Sequence, residues 1–303
     1  MPEQTQGPLI FDRPLLRVRR RRAVAAGAET FLLDRVAADL AERLTAVLRR
    51  FDLALDLGTP GGALRAALAG IPSVGTVISA RAAFPENEGI PAPFVVADEE
   101  ALPFGAAAFD LVVSALSLQF VNDLPGALVQ IRRVLKPDGL FVAALAGGDT
   151  LAELRQSFAA AESEIEGGIS PRVAPFADVR DLGALLQRAG FALPVTDVDR
   201  ITVRYGSVFA LMHDLRRMAA TNALIDRRRV VLKRATLMRM AEIYAERFAD
   251  ADGRLRATFE IVWLSGWAPH PSQQQPLKPG SAQKRLADAL GTREISTGEK
   301  AGE

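Results

Sequence analysis

Apolar positions recur at helical spacing between residues 23 and 48, as Phe31, Val36, Leu40, Leu44 and Val47, and predict one or two helices there. Arg49 and Arg50 follow, where the negative end of a helix favours cations. From residue 51 the pattern changes. Short runs at 51–57, 74–79, 94–97, 109–115 and 140–145 are rich in apolar residues, and helical segments at 63–69 and 124–135 lie between them. Such runs suit strands of a parallel sheet covered on both faces. Their alternation with helices makes a doubly wound α/β sheet the economical fold. Helical patterns return at 150–164, 179–189, 208–220 and 236–248, with extended stretches at 191–203 and 257–264. The second half therefore reads as helical insertions around two further strands.

The length of 303 residues, 49% of them hydrophobic, allows one full α/β core with a smaller appended region. We divide the chain into an N-terminal helical extension (1–50), a main domain (51–267) and a mobile, Pro- and Gln-rich tail (268–303). Cysteine is absent, which excludes disulfides, thiolate metal sites and cysteine nucleophiles. The two histidines, His213 and His270, are too far apart in sequence to suggest a metal site, and no metal is expected. A net charge of +1 gives no global field for nucleic acid. The cluster of Arg17 and Arg19 to Arg22 lacks interleaved aromatics and reads as a solvated helix face or a contact for an acidic protein. No apolar run reaches the roughly 20 residues of a membrane span, and no secretory pattern opens the chain. The expectation is a soluble, cytoplasmic protein.

Three segments carry candidate chemistry. Asp56-Leu57-Gly58-Thr59-Pro60-Gly61-Gly62 follows the first strand, and its glycines permit close backbone approach to a ligand or simply turn the chain into a helix. Asp98 lies just past the third strand, in the crevice where open sheets bind ligands, and a carboxylate there accepts from an exocyclic amine. Glu99 and Glu100 read as solvated neighbours. The fourth strand ends at Ser114, Leu116 and Phe120, which are crevice wall or packing. Asp149 is either a crevice acid or a helix cap, and Trp263 and Trp267 are core or pocket wall.

These segments resemble the class I S-adenosylmethionine methyltransferases. More narrowly, residues 11–270 are similar to the mitochondrial complex I assembly factor 5 family and its bacterial relatives, and more distantly to the biotin-pathway malonyl-carrier methyltransferases. The resemblance rests on Phe11-Asp12-Arg13, on residues 97–104 and on residues 109–155. Within the last stretch it is strongest at Val121-Asn122-Asp123-Leu124-Pro125, Leu135-Lys136-Pro137-Asp138-Gly139 and Gly147-Gly148-Asp149-Thr150-Leu151. Glu166-Gly167-Gly168, Ala174-Pro175-Phe176 and Gly266-Trp267 extend it. It implies a Rossmann-like, seven-stranded, mostly parallel sheet whose last strand is antiparallel. It also implies S-adenosylmethionine as cofactor, with Asp56, Gly58, Gly61 and Gly62 at the methionine-side turn and Asp98 at the adenine. Glu99, Ser114 and Leu116 complete the cofactor-binding candidates, and no catalytic residue is identified. The implied partner is a protein, a respiratory complex I subunit, reached from the cytoplasm or from the inner face of a membrane. The implied activities are methyl transfer, arginine hydroxylation as in the eukaryotic member, or an assembly role without catalysis.

Two departures stand out. The family turn usually reads Gly-Cys-Gly, whereas this chain has Gly58-Thr59-Pro60, and proline removes an N–H and fixes φ. The acid that binds the ribose hydroxyls is also missing: Ile78, Ser79 and Ala80 occupy its neighbourhood, and the nearest acids are Glu86 and Glu88. Losing such a charge-assisted contact costs about 1.5–3 kcal/mol. The expectation is an eroded site that binds its cofactor about one to two decades more weakly.

Overall fold

The computed structural model describes residues 9–83, 93–274 and 291–292. Seven strands run in the order β3-β2-β1-β4-β5-β7-β6. They are β1 (Phe51–Leu57), β2 (Val74–Arg81), β3 (Phe94–Val96), β4 (Phe109–Ala115), β5 (Leu135–Ala146), β6 (Ala192–Tyr205) and β7 (Leu255–Trp267). The β1–β2, β2–β3, β1–β4 and β4–β5 pairs are parallel. β7 pairs antiparallel with both β5 and β6, so it alone reverses. The central strands are buried on both faces, as their near-continuous apolar runs require.

Two apolar clusters cover the two faces. One packs α2 (Phe31–Thr45), α3 (Ala63–Ala69), α5 (Ala152–Glu166), α7 (Val208–Arg217) and α8 (Arg234–Phe248) against the sheet, through residues such as Leu40, Leu68, Phe158 and Tyr244. The other packs α4 (Leu124–Val134) and α6 (Val179–Arg188) through Leu128, Ile131 and Leu186. Most elements lie where the pattern predicts them, within a few residues.

Two differ in an informative way. The first helix, α1, spans Arg13–Ala25, well before residue 23. Asp12 caps it by accepting from the Leu15 N–H at 3.0 Å, and Pro14 suits the first turn. Its arginines dilute the apolar stripe by which a helix is recognised. The second is Lys136-Pro137-Asp138-Gly139, which falls between the expected helix at 124–135 and the expected strand at 140–145 but belongs to β5. There the register with β4 jumps from Phe109↔Leu135 to Leu111↔Leu140, and a bulge absorbs the extra residues.

The described residues up to Pro269 form one compact unit, which ends before His270. Ala268 is still buried and donates to the Gly139 carbonyl at 2.8 Å. Most of the expected tail lies outside the described residues, as do Glu86 and Glu88. No helix among the described residues is long and apolar enough to cross a membrane.

Candidate functional site

The carboxyl ends of β1, β2 and β4 open onto a crevice, and the sequence candidates gather there. β1 delivers Asp56, which is 1% exposed. Its Oδ2 lies 3.4 Å from the Ser79 hydroxyl, and its Oδ1 has no hydrogen-bond partner among the described residues. Burial raises the Asp56 pKa from 3.8 to about 6, against the opposing pull of the Thr59 hydroxyl and the Arg81 charge. An acid with a higher pKa in the folded state binds more protons when folded. Stability from this group is therefore present at low pH and is lost as pH rises from about 4 to about 6, by roughly 3 kcal/mol. We expect Asp56→Asn to flatten that decline, read as urea unfolding at about pH 4 and about pH 7. An unchanged pH slope would contradict the assignment.

The turn after β1 is shaped by its glycines. Gly58 has φ +74°, and a Cβ there would lie 2.5 Å from Ser117 Oγ and 2.6 Å from Glu99 Oε1. Gly61 also has positive φ, +65°, but both it and Gly62 face open space. Thr59, which the sequence reading passed over, is fully buried, and its Oγ1 accepts from the Ala115 N–H at 2.9 Å. It ties the turn to the end of β4. Pro60 stands in the cavity wall.

The other candidates divide. Ser114 is buried, and its Oγ donates to the Leu57 carbonyl at 2.7 Å, joining two strands rather than facing the crevice. Leu116 has φ +50° and does line the crevice. Glu99 is not a solvated acid: it is 2% exposed, with Oε1 accepting from Ser117 Oγ at 3.0 Å. Asp149 is not a helix cap; it pairs with Arg200 on the outer face.

The basic cluster is not simply a solvated face either. Arg13 of α1 pairs with Asp98 at 2.5 Å, with Glu100 at 2.9 Å and with Glu99. Arg17 pairs with Asp98 at 2.7 Å. Burial alone would lower the Arg13 pKa, but the three carboxylates more than offset it and hold the group above its ordinary value. Asn122 Oδ1 accepts from the Ile10 and Phe11 N–H groups at 2.8 and 2.7 Å, which anchors the entry to α1 beside the crevice. Nothing local predicts these contacts, since 81 to 112 residues separate the partners.

β2 ends at Arg81, one residue past the Leu57↔Ala80 pair. The carboxyl end of β2 thus carries a guanidinium and no acid, and that guanidinium bonds the Gly61 carbonyl. Ser79 is buried against Asp56 and is no substitute for that acid. Behind the turn lies a cavity of about 400 Å³, lined by Arg20, Gly61, Leu116, Phe158 and Phe259 among others. Its walls are mainly apolar, and they come from α1, α2, α5 and α7 as well as from the sheet.

A parallel sheet with one reversed strand next to the edge, and a glycine turn after β1, define the class I methyltransferase fold. Residues 55–143 match the family described as Methyltransferase domain. The fold is also that of a putative methyltransferase from Bacillus halodurans, with a TM-score of 0.51 over 77% of this chain and 99% of that one, at 17% identity. The sequence defines a narrower group. The chain is 40% identical over 290 residues to the protein named arginine-hydroxylase NDUFAF5, mitochondrial, of Danio rerio, covering 93% of this chain and 90% of that protein. The chain belongs to the NDUFAF5 family. It is also 41% identical over 186 residues to the malonyl-[acyl-carrier protein] O-methyltransferase of Laribacter hongkongensis, covering 61% of this chain and 60% of that enzyme. The cytoplasmic expectation, with its variant at the inner face of a membrane, is overturned: the Danio rerio, Homo sapiens and Mus musculus relatives are all named as mitochondrial. The absence of a secretory pattern does not address import into an organelle.

Proposed function

We propose that this chain binds S-adenosylmethionine at the crevice, as a methyltransferase-like protein that acts on, or assists assembly of, a respiratory complex I subunit. The observation that carries the reading is Asp56, a buried carboxylate with an unpartnered oxygen at the foot of a turn whose Gly61 and Gly62 leave open space. A buried acceptor left unsatisfied costs about 1–3 kcal/mol, so its persistence points to a ligand donor. In this reading Asp56, Gly58, Gly61 and Gly62 shape the methionine-side turn, Asp98 and Glu99 edge the adenine site, and Leu116 forms a wall. Ser114 acts from behind by holding β4 to β1. When bound, S-adenosylmethionine supplies an electrophilic methyl group; the chain's part is to orient it and exclude water. The fit is good at the turn and poor at the ribose, where Arg81 replaces an acid.

The second reading is an assembly protein that keeps the fold without catalysis. Arg81, and the arginines already paired with Asp98, favour it. The relatives' name suggests arginine hydroxylation as a further activity, which needs an oxidant that the crevice residues do not specify.

The deciding experiment is calorimetric titration with S-adenosylhomocysteine. We expect measurable binding by the wild type and binding about tenfold tighter by Arg81→Asp, from one restored charge-assisted contact. Asp98→Ala should weaken binding more than it lowers the melting temperature. No binding by either the wild type or Arg81→Asp would displace the cofactor reading in favour of the scaffold.

A further inference from the structure

We infer that Arg20 is the anion site of the crevice, and that it takes the α-carboxylate at the amino-acid end of the nucleoside ligand. The inference rests on the cofactor reading above and deepens it to a single group of the ligand. Arg20 lies on α1 and borders two spaces at once. One is the 400 Å³ cavity beside Gly61 and Leu116; the other is the small gap beside Glu99 and Ser117. It therefore sits between the glycine turn and the acids that follow β3.

Its surroundings set it apart from its neighbours. Arg13 meets three carboxylates and Arg17 meets Asp98. Arg20 has a single long hydrogen bond, 3.4 Å to Ser117 Oγ, and no ion pair among the described residues. Glu99 attracts it from a distance, but one Glu99 oxygen is held by Ser117 and the other by Arg13. Burial lowers the Arg20 pKa, and the charges of Arg13, Arg81 and Arg17 add to that. A guanidinium stays protonated regardless, so Arg20 is a half-buried cation in the cavity wall with no ion pair among the described residues, which an anionic ligand would complete.

A carboxylate suits this guanidinium in shape as well as charge. The guanidinium fork gives it two parallel N–H···O bonds, which fixes orientation as well as position. A cationic group would fare worse. The acid in the cavity wall, Glu29, is already paired with Arg217 at 3.3 Å. The ligand's carboxylate at Arg20 and its base near Asp98 would place its sulfur toward the apolar cavity. The Arg-rich helix then becomes part of the binding site rather than a flanking extension.

The test is calorimetry on the full chain with two probes. These are S-adenosylhomocysteine and 5′-S-(3-aminopropyl)-5′-thioadenosine, which is the same molecule without the carboxylate. The wild type should bind the first at least about tenfold more tightly. Arg20→Met should erase that preference by weakening S-adenosylhomocysteine alone, leaving the decarboxylated probe within about twofold of its wild-type affinity. Arg20→Lys, which keeps the charge and loses the fork, should fall between. Equal binding of both probes by the wild type overturns the inference without recourse to any variant. So does Arg20→Met weakening both probes alike, or neither. If neither the wild type nor Arg81→Asp binds either probe, the cofactor reading itself falls and this inference falls with it.

Discussion

Replacing Arg13 by methionine should destabilise the fold by about 3–5 kcal/mol, the usual effect of stripping the partner from a buried ion pair. Arg13 is 12% exposed and Glu99 is 2% exposed. Asp98 would keep Arg17, and Glu100 would keep its bond from the Asn122 N–H. Glu99 would keep one hydrogen bond, from the Ser117 hydroxyl, and the more distant charge of Arg20. The cost therefore concentrates on one carboxylate, and neutralising it should restore much of the loss. Urea unfolding of Arg13→Met, Glu99→Gln and the double variant checks this. A double variant no more stable than Arg13→Met would mean that the arginine acts through packing rather than charge. The same pairing bears on the proposed function, because α1 holds the acids assigned there to the adenine site.

The second large effect concerns the turn. Gly58→Ala should cost about 2–5 kcal/mol and abolish S-adenosylhomocysteine binding. The left-handed backbone contributes about 1–2 kcal/mol and the overpacking about 1–3 kcal/mol. The methyl would meet Ser117 Oγ at 2.5 Å and Glu99 Oε1 at 2.6 Å, and both groups are buried and tied into hydrogen bonds. Gly61→Ala shares the positive φ but meets nothing within 4 Å, so it should cost only about 1–2 kcal/mol. Gly62→Ala meets neither obstacle and should be close to neutral in stability. Denaturant midpoints of the three variants give the ranking. Gly58→Ala no worse than Gly61→Ala would show that Ser117 and Glu99 yield easily, and that the close approach is not a constraint.

The sheet was legible before any coordinates because its signal is local. Buried parallel strands are apolar on both faces, so β1, β4 and the core of β5 stand out as short runs between turn residues. Glycines after β1 and the Asp56 and Asp98 positions at strand ends follow from the same logic, since the crevice of an open sheet lies at those ends. The antiparallel direction of β7 came from the family resemblance and not from the pattern, because a strand's composition carries no direction.

What the chain could not disclose alone is which charges meet. α1 reads as a run of arginines bound for solvent, yet tertiary folding brings Arg13 and Arg17 onto acids more than 80 residues away. Glu99 reads as a surface acid and is among the most buried charges in the protein. Ser114 and Asp149 look like crevice residues, but one bridges two strands and the other faces an outer arginine. The lack of an acid at residues 78–80 was visible in the sequence, but only the structure shows that β2 ends on Arg81 and that Arg81 bonds the Gly61 carbonyl. Hydrophobic period determines where elements begin and which faces they bury, because burial free energy is nearly additive along the chain. Pairing of charges depends on distances of a few ångströms between remote segments, and on the burial that makes those distances matter. Only the packed structure decides these.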